Sequence, residues 1–236
     1  MHPILVFDYD GTLHETMRVY RPAIKYIVHW LVCDHGVEVQ MPSDERIRSW
    51  LGMSTAQMWE DFLPQLPARL KEEAGSRVGR FMNREIRAGN GGWYPRVRQR
   101  LDALKEEGYV MTVLSNCDRE YALLNWEVFG MERWFTAFWD CGSYGWISKA
   151  DVLERIAGNF RGEAERAAAR CGEPLLSERL CAADPGNGFT VIGDRYSDRE
   201  AAERIGASFC GCSYGYGTPE EIQYPAFSSV WTNGMI

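Results

Sequence analysis

A short apolar strand that ends on two acids, close to the first residue, is the feature that most constrains how this chain can fold. Ile4–Phe7 is an unbroken apolar run with β-branched and aromatic side chains, which predicts a strand buried on both faces. Asp8 and Asp10 follow it directly, and Gly11 and Thr12 come next. Such strands deliver side chains to the ligand crevice at the carboxyl edge of an open α/β sheet. Two carboxylates there repel each other and predict a bound cation, and oxygen ligands favour Mg²⁺.

The rest of the chain predicts two domains. Between residues 15 and 89, apolar positions recur at helical spacing, and the glycine-rich residues 90–95 are typical of a linker. Pro22 is expected to open the first of these helices, because proline is tolerated in a first turn. Beyond the linker, helical patterns alternate with short apolar strands, which predicts a mostly parallel sheet covered on both faces. We therefore predict an α/β fold: a Rossmann-like parallel sheet domain formed by residues 1–14 and 93–236, with an all-helical cap domain, residues 15–92, inserted after the first strand.

Two further segments extend this prediction. The connection at residues 159–188 is longer than a helix-to-strand link needs, which predicts a surface elaboration. Residues 230–232 predict an additional edge strand.

Composition excludes several classes of function. The net charge of −7 argues against nucleic acid as a partner, because phosphate backbones favour a basic surface. The first strand leaves no room for a signal peptide, and the apolar helical stretch at residues 23–33 is too short to cross a bilayer. The seven cysteines show no zinc-type spacing and predict reduced, mostly buried thiols. Together these features predict a cytoplasmic protein with no membrane partner.

Three later segments also place chemically useful residues near strand or helix ends. Ser115 and Asn116 follow an apolar strand, an arrangement that either makes an ordinary turn or donates hydrogen bonds to phosphoryl oxygens. Lys149 begins a helix, the unfavourable end for a cation, so it either faces solvent or meets a negative partner. Asp194 ends another strand and can reach a metal, whereas Asp198 either caps the next helix or supports that metal.

Taken in order, these four segments resemble the four signatures of the haloacid dehalogenase superfamily of phosphohydrolases, the first of them being the DxDGT pattern. The helical insertion resembles the cap of its phosphoglycolate phosphatase-like members. The resemblance implies a Mg²⁺-dependent phosphomonoester hydrolase that works through an aspartyl-phosphate intermediate. It implies that Asp8 is the nucleophile and Asp10 the general acid and base. It also implies that the phosphate is bound by Ser115, Asn116 and Lys149. The metal ligands it implies are Asp8, the carbonyl of Asp10, Asp194 and, through water, Asp198.

Alternatives remain open at this stage. A β-phosphoglucomutase-like phosphotransferase would use the same residues, and a non-catalytic binding module of the same fold would be expected to lack one of the acids or the lysine. A dehalogenase is disfavoured because those members generally lack an acid at the position of Asp10. Arg195 stands where the family often has Ser, which leaves substrate preference open. The expected partner is a small phosphorylated metabolite, either phosphoglycolate, a sugar phosphate or a nucleoside monophosphate, bound by a monomer or homodimer.

Overall fold

The structure is a computed structural model that describes residues 2–171, 185–222 and 226–227. The chain forms two compact units, one of Met1–His14 with Trp93–Ile236 and one of Glu15–Gly92. The edge strand predicted at residues 230–232, and the part of the long connection between residues 172 and 184, lie outside the described residues.

The first unit is built on a parallel sheet, as the sequence predicts. Its strands are β1 (Ile4–Phe7), β2 (Met111–Ser115), β3 (Phe135–Asp140), β4 (Phe189–Gly193), β5 (Ser208–Cys212) and β6 (Ala226–Phe227). They lie in the order β3-β2-β1-β4-β5-β6, and every neighbouring pair is parallel. The predicted α/β fold is confirmed.

The central position of β1 follows from its composition. All four of its residues are buried, because strands pair with it on both sides and helices cover the sheet. Phe7 pairs with Val113 of β2 on one side and with Ile192 of β4 on the other. The strand order changes direction here, and in open α/β sheets that switch point is where ligands bind. Asp8 therefore leaves the sheet at its most favourable place for a site.

The second unit is helical in its described residues. Its helices are α1 (Met17–His35), α2 (Asp44–Trp50), α3 (Thr55–Phe62) and α4 (Ala68–Arg87), and α1 packs on α4. Ser43 and Ser54 cap α2 and α3 by accepting backbone hydrogen bonds, as expected for such residues. The sequence suggested that Pro22 opens the first helix, but α1 begins at Met17. Val19 and Tyr20 are buried and extend its apolar face by a turn, which outweighs the one hydrogen bond that Pro22 cannot donate.

Helices cover the sheet of the first unit. They are α5 (Val97–Glu106), α6 (Arg119–Phe129), α7 (Lys149–Gly158), α8 (Phe160–Cys171), α9 (Tyr196–Ile205) and α10 (Pro219–Ile222). One large core forms between the strands and α7, α8 and α9, with Trp139, Leu153 and Val191 among its buried members. The helix α9 packs on α7 and on β4, and Lys149 in the first turn of α7 contacts Asp8 just after β1, so both helices begin at the carboxyl edge of the sheet.

Candidate active site

Three carboxylates meet at the carboxyl edge of the sheet. Asp8 follows β1, Asp194 follows β4, and Asp198 lies in the first turn of α9. One oxygen from each lies within 4.8 Å of the others, and all three residues are buried. Burial of like charges this close is unfavourable unless cations compensate them.

Lys149 supplies one such cation. Its Nζ donates to Asp8 Oδ1 over 2.7 Å and to Asp198 Oδ1 over 2.6 Å. Burial lowers the pKa of Lys149, but the carboxylates of Asp198 and Asp8 outweigh it and hold the pKa above its ordinary value. Ser148 caps α7 by accepting from the amide of Asp151, which fixes the backbone from which Lys149 projects. Of the two interpretations left open for this lysine, a negative partner is the correct one.

One ammonium group does not balance three carboxylates, and the pKa values respond accordingly. Burial raises the pKa of Asp8 to about 7 even though Lys149 opposes the shift. Burial also raises the pKa of Asp194, with the charges of Asp8 and Asp198 adding to the effect and the amide of Tyr216 opposing it. A further cation would relieve both shifts.

Two oxygens of this cluster fit such a cation. Among the described residues, Asp8 Oδ2 and Asp194 Oδ1 are buried and have no hydrogen-bond partner. Asp198 differs, since its Oδ1 accepts from Lys149 and its Oδ2 accepts from the amide of Arg195 over 3.0 Å. The donor set of carboxylate oxygens suits Mg²⁺. Asp8 and Asp194 can therefore coordinate a divalent ion directly, and Asp198 can contact it through a water molecule.

Glycines allow the loops to approach these acids closely. A Cβ on Gly11, which has φ +99°, would lie 2.3 Å from Asp194 Oδ2, and a Cβ on Gly217 would lie 1.7 Å from the carbonyl oxygen of Asp194. Between Gly215 and Gly217, the amide of Tyr216 donates to Asp194 Oδ2 over 2.5 Å. The loop after β5 thus orients the Asp194 carboxylate through Oδ2, while Oδ1 is buried without a hydrogen-bond partner.

The Asp10 side chain is separate from the cluster. Its Oδ1 accepts from the Tyr121 hydroxyl over 2.8 Å and lies 3.5 Å from His14 Nδ1. Burial and the nearby Asp10 charge raise the pKa of Tyr121, so the phenol stays protonated and acts as a donor. Two acids that are neighbours in the sequence therefore lie in different surroundings, a usual condition for different chemical roles.

Ser115 and Asn116 lie where phosphate ligands would be expected. Ser115 is buried at the end of β2, and Asn116 follows in the loop. The register places Ser115 two residues beyond Val113, which pairs with Phe7. Ser115 and Asn116 are thus at the same edge of the sheet as Asp8. Their contact with a phosphoryl group stays a prediction.

Some contacts of the site have no counterpart in the sequence analysis. The Arg195 guanidinium, which raised a question about substrate preference, pairs with Glu221 at 3.3 Å. The roles of Tyr121, His14 and Glu221 were also missed. The position of His14 just after the first signature was the one available signal, because Tyr121 and Glu221 are distant in sequence from the groups that they contact.

Comparison with known proteins identifies related chains. The family model of haloacid dehalogenase-like hydrolases matches residues 3–206. A predicted phosphoglycolate phosphatase from Haemophilus somnus has a similar structure, with a TM-score of 0.73 and 18% identity over 97% of this chain and 95% of that one. A haloacid dehalogenase-like family hydrolase from Streptococcus pneumoniae has a TM-score of 0.69 and 17% identity, over 95% of this chain and 92% of that one. A predicted phosphatase from Clostridium acetobutylicum has a TM-score of 0.65 and 18% identity, over 94% of this chain and 89% of that one. At these identities the structural likeness shows the fold, and no protein of curated description matches the sequence.

Proposed function

Because the chain belongs to the haloacid dehalogenase-like hydrolases, we propose that it is a Mg²⁺-dependent phosphatase that hydrolyses a small phosphomonoester through an aspartyl-phosphate. The observation that carries this proposal is the buried cluster of Asp8, Asp194 and Asp198 around Lys149, with one unpartnered oxygen each on Asp8 and Asp194. A site with this charge can bring a divalent cation and a phosphate dianion together in a small volume.

Asp8 is the proposed nucleophile. Its carboxylate attacks phosphorus and forms an acyl phosphate while the bond to the leaving oxygen breaks. Lys149 favours the ionised form of Asp8 by donating to Oδ1. When bound to Asp8, Asp194 and the Asp10 carbonyl, Mg²⁺ would neutralise the charge of the phosphoryl group and of the carboxylate that attacks it.

Asp10 is the proposed general acid and base. It gives a proton to the leaving oxygen in the first step and takes one from water when the acyl phosphate is hydrolysed. Its position outside the carboxylate cluster suits this task, because it has its own neighbours in Tyr121 and His14.

The phosphoryl oxygens need donors of their own. An ammonium group has three N–H bonds, and two of those on Lys149 point to Asp8 and Asp198. We assign the third N–H of Lys149 as a donor to a phosphoryl oxygen. We assign the Ser115 hydroxyl and the Asn116 amide as further donors to the phosphoryl oxygens. Such preorganised donors stabilise the charge of the transition state without reorganising during the reaction.

Phosphate release tests the proposal. The substrates are p-nitrophenyl phosphate, phosphoglycolate, sugar phosphates and nucleoside monophosphates, each with Mg²⁺ and with EDTA. Phosphoglycolate comes first because of the name of the H. somnus relative. We expect Mg²⁺-dependent turnover that Asp8→Asn lowers at least about a thousand-fold. The matched control is Asp151→Asn, an exposed acid on α7, which should keep activity.

The other outcomes separate the alternatives. Formation of a sugar bisphosphate in place of free phosphate would show a phosphotransferase. A protein that binds Mg²⁺ but turns over no member of the panel would be a binding module, and the proposal would then fail.

A further inference from the structure

Two buried side chains of the first unit, Tyr121 and His14, lie next to one oxygen of the Asp10 carboxyl. The Tyr121 hydroxyl donates to Asp10 Oδ1 over 2.8 Å. His14 Nδ1 lies 3.1 Å from that hydroxyl. Both residues are buried, and neither has a part in the hydrolysis described above.

The donors in this network can be assigned by counting protons. A phenol has one hydroxyl proton, so a Tyr121 that donates to Asp10 must act as an acceptor toward His14. His14 therefore carries its proton on Nδ1 and donates to the Tyr121 oxygen. The chain of hydrogen bonds runs from His14 through Tyr121 to one oxygen of Asp10, where the carboxylate charge strengthens it.

Neighbouring rings hold this chain in place. His14 stacks on Tyr9, with ring centroids 5.2 Å apart and an interplanar angle of 15°. Tyr121 meets the same Tyr9 ring edge-on at 6.1 Å. Asn125 accepts from the Tyr9 hydroxyl and donates to the Tyr121 carbonyl, which ties α6 to the segment after β1. The Tyr121 hydroxyl thus has a defined position relative to Asp10.

We propose that Tyr121 and His14 are positioning residues that hold Asp10 in the orientation needed for proton transfer, an inference that rests on the proposed phosphatase function. With Oδ1 held by Tyr121, the transferred proton is carried on Oδ2. In the first step the P–O bond breaks, and its electron pair stays on the leaving oxygen, which takes that proton. In the second step the oxygen of water bonds to phosphorus, its proton goes to Asp10, and the bond between phosphorus and Asp8 breaks. A single orientation of Asp10 thus suits both proton transfers, the one from Asp10 and the one to it. Holding a catalytic group in the reactive orientation lowers the activation barrier.

Leaving groups of different basicity test this role. An alkoxide needs a proton in order to leave, whereas p-nitrophenolate is a stable anion and leaves without one. The probes are p-nitrophenyl phosphate and the alkyl phosphomonoester that the wild type hydrolyses fastest. We expect Tyr121→Phe to lower kcat/KM about 10- to 100-fold for the alkyl ester and less than about 3-fold for the aryl ester. His14→Asn, which keeps a side-chain N–H donor, should give a smaller change in the same direction.

The control removes an equivalent atom that does not touch Asp10. Tyr144→Phe deletes a hydroxyl that lies outside this network and donates to Glu163 instead. It should leave the ratio of the two kcat/KM values unchanged. An equal loss on both esters in Tyr121→Phe, or no loss on either, would overturn the inference while the phosphatase stands. If Tyr121→Phe does not fold, the ratio of the two kcat/KM values is measured in His14→Asn, and an unchanged ratio there would overturn the inference. A wild type that releases phosphate from no ester would instead refute the proposed function, and with it this role.

Discussion

At the scale of single residues, the balance of buried charge depends on Lys149. Its ammonium group contacts two carboxylates, and all three side chains are almost inaccessible to water. Removing one partner of a buried ion pair leaves the others uncompensated, which typically costs about 3–5 kcal/mol. We expect Lys149→Met to lower the free energy of unfolding by about that amount in EDTA, as measured by urea denaturation. The loss should be smaller in saturating Mg²⁺, since a divalent ion replaces part of the missing charge.

An exposed ion pair provides the comparison for that variant. Arg204 contacts Asp151 at 2.9 Å, but both side chains are well exposed to solvent. Water and salt screen such pairs. Arg204→Met should therefore change stability little, with or without Mg²⁺. An equal effect of the two variants would show that the Lys149 cluster is hydrated in solution.

At the scale of an element, the beginning of α7 depends on its cap. The Ser148 hydroxyl accepts from the Asp151 amide and donates to the Asp151 carboxylate. We expect Ser148→Ala to cost about 1 kcal/mol of stability, because one amide at the helix start loses its partner. Ser148→Asn, another good capping residue, should stay close to the wild type. Chemical denaturation of the three proteins measures both changes, and equal values for Ala and Asn would contradict a capping role.

The loop after β5 makes a second prediction at this scale. A Cβ at residue 217 would overlap the backbone carbonyl of Asp194, which cannot move without moving the end of β4. We expect Gly217→Ala to weaken Mg²⁺ binding at least about 10-fold, read from the Mg²⁺ dependence of Tm. The control is Gly79→Ala in α4, where nothing lies within 4 Å of the added Cβ. It should raise stability by up to about 1 kcal/mol and leave Mg²⁺ binding unchanged. Unaltered Mg²⁺ binding in Gly217→Ala would separate this loop from the metal site.

Local patterns explain which elements the sequence could predict. The apolar run of β1 and the alternation that follows indicated a parallel sheet, because buried strands and amphipathic helices have different periods. The start of α1 was placed too late, since Pro22 is a local signal and the burial of Val19 and Tyr20 is a tertiary effect. Boundaries decided by packing are not visible in a single sequence.

The same reasoning applies to the site. Asp8, Lys149 and Asp194 could be selected because each follows a recognisable strand or begins a helix. The bond between Tyr121 and Asp10 joins residues 111 positions apart, and it depends on how α6 packs beside the segment after β1. Sequence reasoning therefore predicted which groups carry charge in this site and missed the groups that orient them.

At the scale of the whole molecule, the sheet brings together carboxylates that repel one another, and global stability should depend on this. The pKa of Asp8 is raised from 3.8 to about 7 in the folded chain. Between these two values the folded state binds a proton that the unfolded state has released. Stability without metal therefore falls as pH rises across this window, by up to about 1.4 kcal/mol per pH unit for each such group. Asp194 shifts in the same direction.

We expect the free energy of unfolding in EDTA to fall between pH 5 and pH 8, and the fall to be less steep in Asp8→Asn, which has no carboxyl to titrate at that position. Comparing the two proteins cancels the titration of groups away from the cluster, whereas the pKa of Asp194 is raised less without the Asp8 charge and flattens the curve of the variant further. Mg²⁺ competes with the proton for the same oxygens, so the rise in Tm that it produces in the wild type should be larger at pH 8 than at pH 5. Urea denaturation and thermal unfolding at these pH values measure both effects. Parallel stability curves for the two proteins would mean that Asp8 is ionised throughout this range, and that Lys149 alone compensates its charge.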